Sequence, residues 1–311
     1  MQTVVDENVN ISYRDIHAGR IAILELYGNQ QNLLNADFML AIHRQLAKFY
    51  DDPAVTGIVL TSGWMHKFSS GPDIKALGRP ASVQFRILYD AFSDLYIQTL
   101  RSPKPLVAAI NGDCPSFACA LVMACDERVM AWGPPLGAEK DDSFGSLSVA
   151  AHAKRYLSLG EAENSNVEPP VLTIHQHPTK TGVQPYTIGF PEPTISMTIP
   201  RWVIRQMAHL IGPKCAEFQL RYGHMWTAQQ AHNIGLVDHL CSANTLMETA
   251  LRRVQVHAQV RNDIWQVAKY SLRGNMALST ADFAQKHVSR AIFRNHFFRF
   301  SNEIQNRILR R

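Results

Sequence analysis

Two stretches of sequence decide the fold: residues 104–126, KPLVAAINGDCPSFACALVMACD, and residues 67–77, KFSSGPDIKAL. Each pattern predicts a strand that ends in a turn of small residues, and the turn in each case opens a helix. The start of a helix leaves backbone N–H groups without partners, and these groups attract negative charge. Two such turns facing each other are therefore expected to hold a developing oxyanion.

Working outward from these stretches, strands alternate with helical patterns through the first half of the chain. Residues 21–27, 57–61 and 106–110 read as buried strands, whereas 36–50 and 82–101 have apolar residues at helical spacing. Alternating strands and helices predict an α/β architecture, although periodicity alone does not distinguish a spiral from a doubly wound sheet. Beyond residue 200 the pattern is mostly helical, with helices expected to begin at Pro213 and to cover 244–260, 262–272 and 280–299.

Composition and charge narrow the class of protein. The chain has 311 residues, 46% hydrophobic and 18% charged, which is typical of a globular protein. No apolar run approaches the ~20 residues that a membrane helix needs. The net charge of +5 is concentrated in residues 286–311, with seven basic residues, but no nucleic-acid motif accompanies them. A solvated helix face, a phosphate-rich ligand or an acidic partner explains this charge better than a nucleic acid does.

Other candidate chemistries have weak support. The five cysteines show no paired C-x-x-C spacing, so we expect free thiols in a reducing compartment. His175 and His177 lack a third ligand at ordinary spacing, so we expect no metal. No phosphate-binding G-x-x-x-x-G-K and no nucleophile-elbow motif is present in the sequence.

Both stretches resemble motifs of the crotonase (enoyl-CoA hydratase/isomerase) superfamily. Residues 67–77 are similar to its F-S-A-G-A-D-I-K pattern, and 104–126 to its K-P-x-x-A-x-x-N-G…C-D pattern. Residues 227–239, TAQQAHNIGLVDH, resemble the family's A-x-x-A-x-x-x-G-L-V-D segment. The resemblance implies a ββα spiral core over 1–210 and a helical region over 211–311 by which such proteins trimerise.

One segment departs from the family pattern. Residues 133–184, which carry five prolines, form an insertion of about 50 residues between the second motif and the next expected strand. Loops of this length are uncommon and usually functional or disordered. We expect the insertion to pack against a partner, which favours a homotrimer or a subunit of a larger complex.

The resemblance also implies the catalytic residues. The family's two oxyanion donors correspond to the backbone N–H groups of Ser70 and Phe117. Phe117 and Ala118 stand where most relatives have a pair of glycines, which permit positive φ and close approach of a thioester. Enoyl-CoA hydratases use two carboxylates. One position corresponds here to Ala120 and the other to Glu192, so a single carboxylate is expected to do the acid/base work.

The family's coenzyme A contacts give a second group of candidates. The loop after the first motif resembles the segment that flanks the adenine, and two basic residues match positions of an isomerase C-terminal helix. For those two, surface residues of a helix are the alternative interpretation. We expect no cofactor other than coenzyme A as part of the substrate. The candidate substrate-binding residues are Phe68, Ile74, Lys75, Leu77, Lys269 and Arg273.

Within the family, Cys114-Pro115 and residues 186–202 resemble the Δ3,Δ2-enoyl-CoA isomerase branch. The leading hypothesis is an isomerase that shifts a C3 double bond to C2 in acyl-CoA thioesters during unsaturated fatty-acid oxidation. The alternative is a weak or inactive relative that serves as a structural subunit of a mitochondrial assembly, and thioester hydrolysis is a third reading. The first residues show neither a secretory signal nor a typical transit peptide. A mitochondrial location is therefore expected from resemblance alone, with a peroxisomal or related organelle as the second choice.

Overall fold

The computed structural model describes residues 4–6, 8–29, 31–73, 83–134, 185–195 and 199–287, with their side chains from residue 8 to residue 274. Most of the predicted insertion at 133–184 lies outside this set. The strands are β1 (Val4–Asp6), β2 (Val9–Ile16), β3 (Gly19–Leu26), β4 (Val55–Ser62), β5 (His66–Lys67), β6 (Leu106–Ile110), β7 (Gly112–Pro115), β8 (Glu127–Ala131), β9 (Thr187–Gly189), β10 (Met225–Thr227) and β11 (His239–Cys241). The α-helices are α1 (Ala36–Asp51), α2 (Val83–Leu100), α3 (Phe117–Ala124), α4 (Arg201–Tyr222), α5 (Ala228–Asn233), α6 (Leu246–His257) and α7 (Asn262–His287). Short 3₁₀ helices cover Glu192–Ile195 and Ala243–Thr245.

The strands form two sheets that the chain visits in turn. The larger has seven strands in the order β1-β2-β3-β4-β6-β8-β11, and the smaller has four in the order β10-β9-β7-β5. Three successive units, β4-β5-α2, β6-β7-α3 and β8-β9-α4, each place one strand in each sheet before a helix. The fold is therefore the ββα spiral expected from the resemblance, not a doubly wound single sheet.

The centre of the larger sheet is apolar because both of its faces are covered. Strands β3, β4, β6 and β8 pair in parallel there, and every residue of β6 is buried. Parallel strands covered on both faces read as continuous apolar runs, as the sequence predicted. Helix α1 starts where expected, since the Asn35 side chain accepts a hydrogen bond from the N–H of Phe38.

The C-terminal region is helical, but one predicted boundary was wrong. Helix α4 runs from Arg201 to Tyr222 with a break at Gly212, where φ is 78°, so a helical segment begins at Pro213 as predicted. Helix α7 is one helix over Asn262–His287, where two were predicted. A glycine at 274 interrupts the helical pattern in the sequence, yet a single helical glycine costs only about 1 kcal/mol, which tertiary contacts offset. The predicted division at residue 210 falls inside α4 and stays a prediction.

Those tertiary contacts centre on Asp126, which follows α3. Its carboxylate lies 2.8 Å from Lys269 Nζ and 3.1 Å from the guanidinium of Arg273, both on α7. Asp126 also accepts the N–H of Leu106 at 2.9 Å, so one side chain joins α7 to the start of β6. Among the residues described, no helix has the length and apolarity required to span a bilayer.

Candidate active site

The site forms where the three parallel strands of the smaller sheet end. Strand β7 lies between β5 and β9, and all three run in the same direction. The carboxyl ends of parallel strands meet at one edge of a sheet, so the segments that follow β5, β7 and β9 are neighbours. These segments carry Ser70, Phe117 and Glu192, the three predicted catalytic residues.

Close contacts confirm that the two turns meet. A Cβ built on Gly71 would lie 3.1 Å from the Cβ of Ser116 and 3.2 Å from the carbonyl oxygen of Pro115. The φ of Gly71 is +84°, a backbone angle that residues with a side chain rarely adopt. Glycine is therefore needed at the point where the first turn packs against the second.

The first turn keeps its own backbone donors occupied. The N–H of Ser70 donates to the carbonyl oxygen of Gln31 at 2.9 Å, so binding an oxyanion there requires this hydrogen bond to break. Pro72 has no N–H to contribute. The assignment of Ser70 as an oxyanion donor stays a prediction. The other N–H groups of the turn also have acceptors. Those of Phe68 and Ser69 donate to the carbonyl oxygen of Asp113. The N–H of Gly71 donates to Ser69 Oγ, and the N–H of Asp73 donates to the carbonyl oxygen of Leu34.

Asn32 ties this turn to the core through hydrogen bonds, and the sequence reading did not identify it. Its side chain is fully buried, and its amide nitrogen lies within 3.1 Å of the carbonyl oxygens of Leu26 and Phe68. Its backbone carbonyl accepts the hydroxyl of Ser69 at 2.6 Å. A lone asparagine in a loop gives no sequence signal for such a role, because its partners lie far along the chain.

The second turn differs from the one predicted. Phe117 was expected to occupy a position that favours glycine, but it is the first residue of α3, and its φ is not positive. The residue with positive φ is Ser116, at φ 60° and ψ −127°. As the first residue of a helix, Phe117 has an N–H with no acceptor inside that helix, which leaves it available to an oxyanion. Its ring stacks on that of Phe92 with centroids 3.8 Å apart.

Glu192 begins the 3₁₀ helix that follows β9, and its side chain is buried at 7% exposure. The hydroxyl of Ser116 donates a short hydrogen bond to Oε1 of Glu192. Among the described residues, Oε2 has no hydrogen-bond partner. Burial raises the pKa of Glu192 to about 7, although the hydrogen bond from Ser116 opposes this change. The neighbouring position Ala120 is buried and holds no carboxylate.

The predicted substrate-binding residues lie in different environments. Phe68 is a core residue with no exposed surface. Lys269 is almost fully buried, and its ammonium group lies against Asp126. Arg273 also donates to the backbone carbonyls of Ala124 and Cys125, so both basic residues have partners within the chain. Their predicted contacts with coenzyme A stay predictions, and Ile74, Lys75 and Leu77 lie outside the described residues.

No candidate metal site is present in the parts of the chain that the structure describes. There, no group of three or more His, Cys, Asp or Glu side chains is arranged to hold a metal ion. His175 and His177 lie outside these parts. The five cysteines are free thiols, as predicted.

Known proteins resemble this chain in sequence and in fold. Residues 18–155 match the family described as Enoyl-CoA hydratase/isomerase. The chain is 22% identical to human mitochondrial enoyl-CoA delta isomerase 1, and the aligned region covers 83% of this chain and 69% of the human protein. It is 23% identical to the rat protein of that name over 78% of its length and 63% of that protein, so it spans less than two thirds of the rat relative.

Two solved structures show the same architecture. The crystal structure of human mitochondrial Δ3-Δ2-enoyl-CoA isomerase superposes with a TM-score of 0.74 at 21% identity and 98% coverage of both chains. An enoyl-CoA hydratase/isomerase family protein from Pseudomonas syringae superposes with a TM-score of 0.67 at 17% identity, over 90% of this chain and 97% of that one. At these identities the superpositions establish the fold alone.

Proposed function

We propose, from the match of residues 18–155 to the enoyl-CoA hydratase/isomerase family, that this chain is a Δ3,Δ2-enoyl-CoA isomerase. Its substrates would be 3-enoyl-CoA thioesters formed in the oxidation of unsaturated fatty acids. The observation that carries this proposal is Glu192, a buried carboxylate with a pKa of about 7 beside the turn that opens α3. A group with this pKa accepts and returns a proton near neutral pH.

The reaction requires one base and one donor to the thioester oxygen. Glu192 removes a proton from C2, breaking the C2–H bond and forming an O–H bond. The electron pair of the C2–H bond forms a double bond between C1 and C2 while the carbonyl π pair moves onto the thioester oxygen, and the N–H of Phe117 stabilises the resulting dienolate, which still has its C3–C4 double bond. Protonated Glu192 then gives the same proton to C4, which leaves the double bond between C2 and C3 and regenerates the carboxylate.

The single carboxylate favours isomerisation over hydration. By the resemblance, hydratases use a second carboxylate at the position that Ala120 occupies here, and Ala120 is buried within α3. Isomerisation returns to the substrate the proton that it removed, so it requires no second group to activate water. The site therefore matches isomerisation, the simpler of these two reactions.

Turnover of 3-enoyl-CoA thioesters of short, medium and long acyl chains tests the proposal, with formation of the 2-enoyl product followed by absorbance. The Glu192→Gln variant keeps the size of the side chain and its acceptor for Ser116. We expect it to lose activity by about 10³-fold, the typical contribution of a general acid/base. Glu217→Gln is the matched control, because Glu217 is exposed on α4 and pairs only with Arg221 among the described residues. Equal rates for wild type and Glu192→Gln would refute the assignment of the base.

A second candidate function follows from the first turn. Its N–H groups are all occupied, Ser70 included, and Pro72 has none. A site with one free donor binds a thioester less well in the transition state, which supports a structural or binding subunit with little turnover. Calorimetry with a saturated acyl-CoA distinguishes the two functions. Binding without turnover by the folded wild type would favour the second.

The proposal also includes a cellular location and an oligomeric state for the protein. The human and rat relatives are named as mitochondrial proteins, so we expect a mitochondrial location. A homotrimer or a larger complex, assembled in part through the C-terminal helices, is expected from the resemblance. Light scattering of the purified chain, and fluorescence microscopy of a tagged copy in cells, test these two expectations.

A further inference from the structure

Ser116 is held in place from both sides of its backbone. Its N–H donates to the carbonyl oxygen of Gly189 at 2.8 Å, and its own carbonyl accepts the N–H of Ala120 at 3.0 Å. The first bond ties the end of β7 to the end of β9, just ahead of Glu192. The second belongs to the first turn of α3. The hydroxyl of Ser116 therefore starts from a fixed point close to the Glu192 carboxylate.

The conformation of Ser116 is one that a serine rarely adopts. At φ 60° and ψ −127° its Cβ crowds the backbone, whereas a glycine adopts these angles without cost. Such a conformation is unfavourable and persists where the surrounding structure imposes it. A glycine here would relieve the backbone but would leave Glu192 Oε1 without its donor.

The two oxygens of Glu192 are not equivalent. Oε1 accepts the hydroxyl of Ser116, whereas Oε2 is buried without a partner among the described residues. The buried thiol of Cys119 on α3 interacts electrostatically with this carboxylate, and burial raises the pKa of that thiol well above its ordinary value, so the thiol is neutral near neutral pH. Among the described residues, Ser116 supplies the side-chain hydrogen bond that orients the carboxylate.

We propose that Ser116 is a positioning residue, whose hydroxyl holds Oε1 of Glu192 and so makes Oε2 the oxygen that exchanges the substrate proton. This inference rests on the isomerase function proposed above. One fixed oxygen takes the proton from C2 and carries it to C4, while Oε1 remains an acceptor for Ser116 in both protonation states. A carboxylate free to rotate would present either oxygen and lose this alignment.

The test combines a direct titration with kinetics. Glu192 is titrated by ¹³C NMR of glutamate-labelled protein, and the Glu192→Gln spectrum identifies its signal. Ser116→Gly removes the hydroxyl and relaxes the backbone, so this variant is expected to fold. Ser116→Cys keeps a weaker donor and serves as the conservative variant. Ser93→Ala is the matched control, since Ser93 is a buried serine whose hydroxyl has no partner among the described residues.

We expect Ser116→Gly to raise the pKa of Glu192 by about one pH unit, the size of a hydrogen bond to a charged group. The acidic limb of the kcat/KM profile should move by the same amount, with kcat about tenfold lower and KM little changed. For Ser116→Cys, the pKa of Glu192 and kcat should lie between the values of wild type and of Ser116→Gly. For Ser93→Ala, both should match wild type.

An unchanged Glu192 pKa in a folded Ser116→Gly variant would overturn the inference, as would a KM effect without a kcat effect. If wild type shows no turnover, the isomerase function and the catalytic part of the inference both fall. A changed pKa in Ser116→Gly would then still show that the hydroxyl orients the carboxylate. The NMR titration therefore separates failure of this contact from failure of the proposed function.

Discussion

Replacing Glu192 by glutamine is expected to stabilise the protein at alkaline pH while it removes the proposed base. Burial raises the pKa of Glu192 from an ordinary 4.5 to about 7, so the folded state binds this proton more tightly than the unfolded state does. Between pH 4.5 and pH 7 the free energy of unfolding falls as the pH rises. Above pH 7 the folded state bears the whole cost of burying the charged carboxylate. Glutamine has no charge to bury and therefore avoids this cost.

The size of the effect follows from the difference between the two pKa values. One pKa unit corresponds to 1.36 kcal/mol, so the shift from 4.5 to about 7 costs on the order of 3 kcal/mol at pH 8. At pH 5 the folded-state carboxyl is almost fully protonated, and the remaining cost is under about 1 kcal/mol. Glutamine keeps an oxygen that accepts the hydroxyl of Ser116, so the substitution itself removes little stability.

Urea unfolding followed by tryptophan fluorescence at pH 8 and at pH 5 measures this difference. We expect Glu192→Gln to raise the free energy of unfolding by about 3 kcal/mol at pH 8 and by under about 1 kcal/mol at pH 5. Glu217→Gln, on the exposed surface of α4, should change it by less than about 0.5 kcal/mol at either pH. No gain at pH 8, or an equal gain at both pH values, would refute the reasoning, because the carboxylate would then not be destabilised by burial.

Two further substitutions test how the site is supported. Asp126→Asn leaves the ammonium of Lys269 buried without its counter-charge and weakens the contact with Arg273; we expect a loss of about 3–5 kcal/mol in urea unfolding and faster proteolysis within α7. Unchanged stability and cleavage would show that α7 is held by other contacts. Gly71→Ala forces a side chain into a backbone with φ +84° and against Ser116; we expect a loss of about 1–3 kcal/mol by the same method, and a neutral result would contradict the close packing of the two turns.

The sequence predicted the elements of this site better than its contacts. Local patterns identified the strand-turn-helix unit of the second motif, because helix starts and buried strands depend on nearby residues, whereas the family resemblance supplied Ser70, Phe117 and Glu192. In the structure these three residues follow strands that end at one edge of the smaller sheet. The structure also shows that Ser116, and not Phe117, has the positive φ. That difference depends on the pairing of β7 with β9, which joins residues far apart in the chain.

The missed residues explain why the two turns are unequal. Asn32 holds the first turn from inside the core through contacts with Phe68 and Ser69, and the N–H of Ser70 points to a carbonyl of the neighbouring loop. Freeing that N–H would break a backbone hydrogen bond in a segment that is otherwise fully bonded, a loss of about 1–3 kcal/mol unless the ligand replaces it. The start of α3 carries no such restraint, since the N–H of a first helical residue has no acceptor within its own helix. Whatever oxyanion this protein stabilises, most of the stabilisation should therefore come from Phe117, with Glu192 held beside it by Ser116.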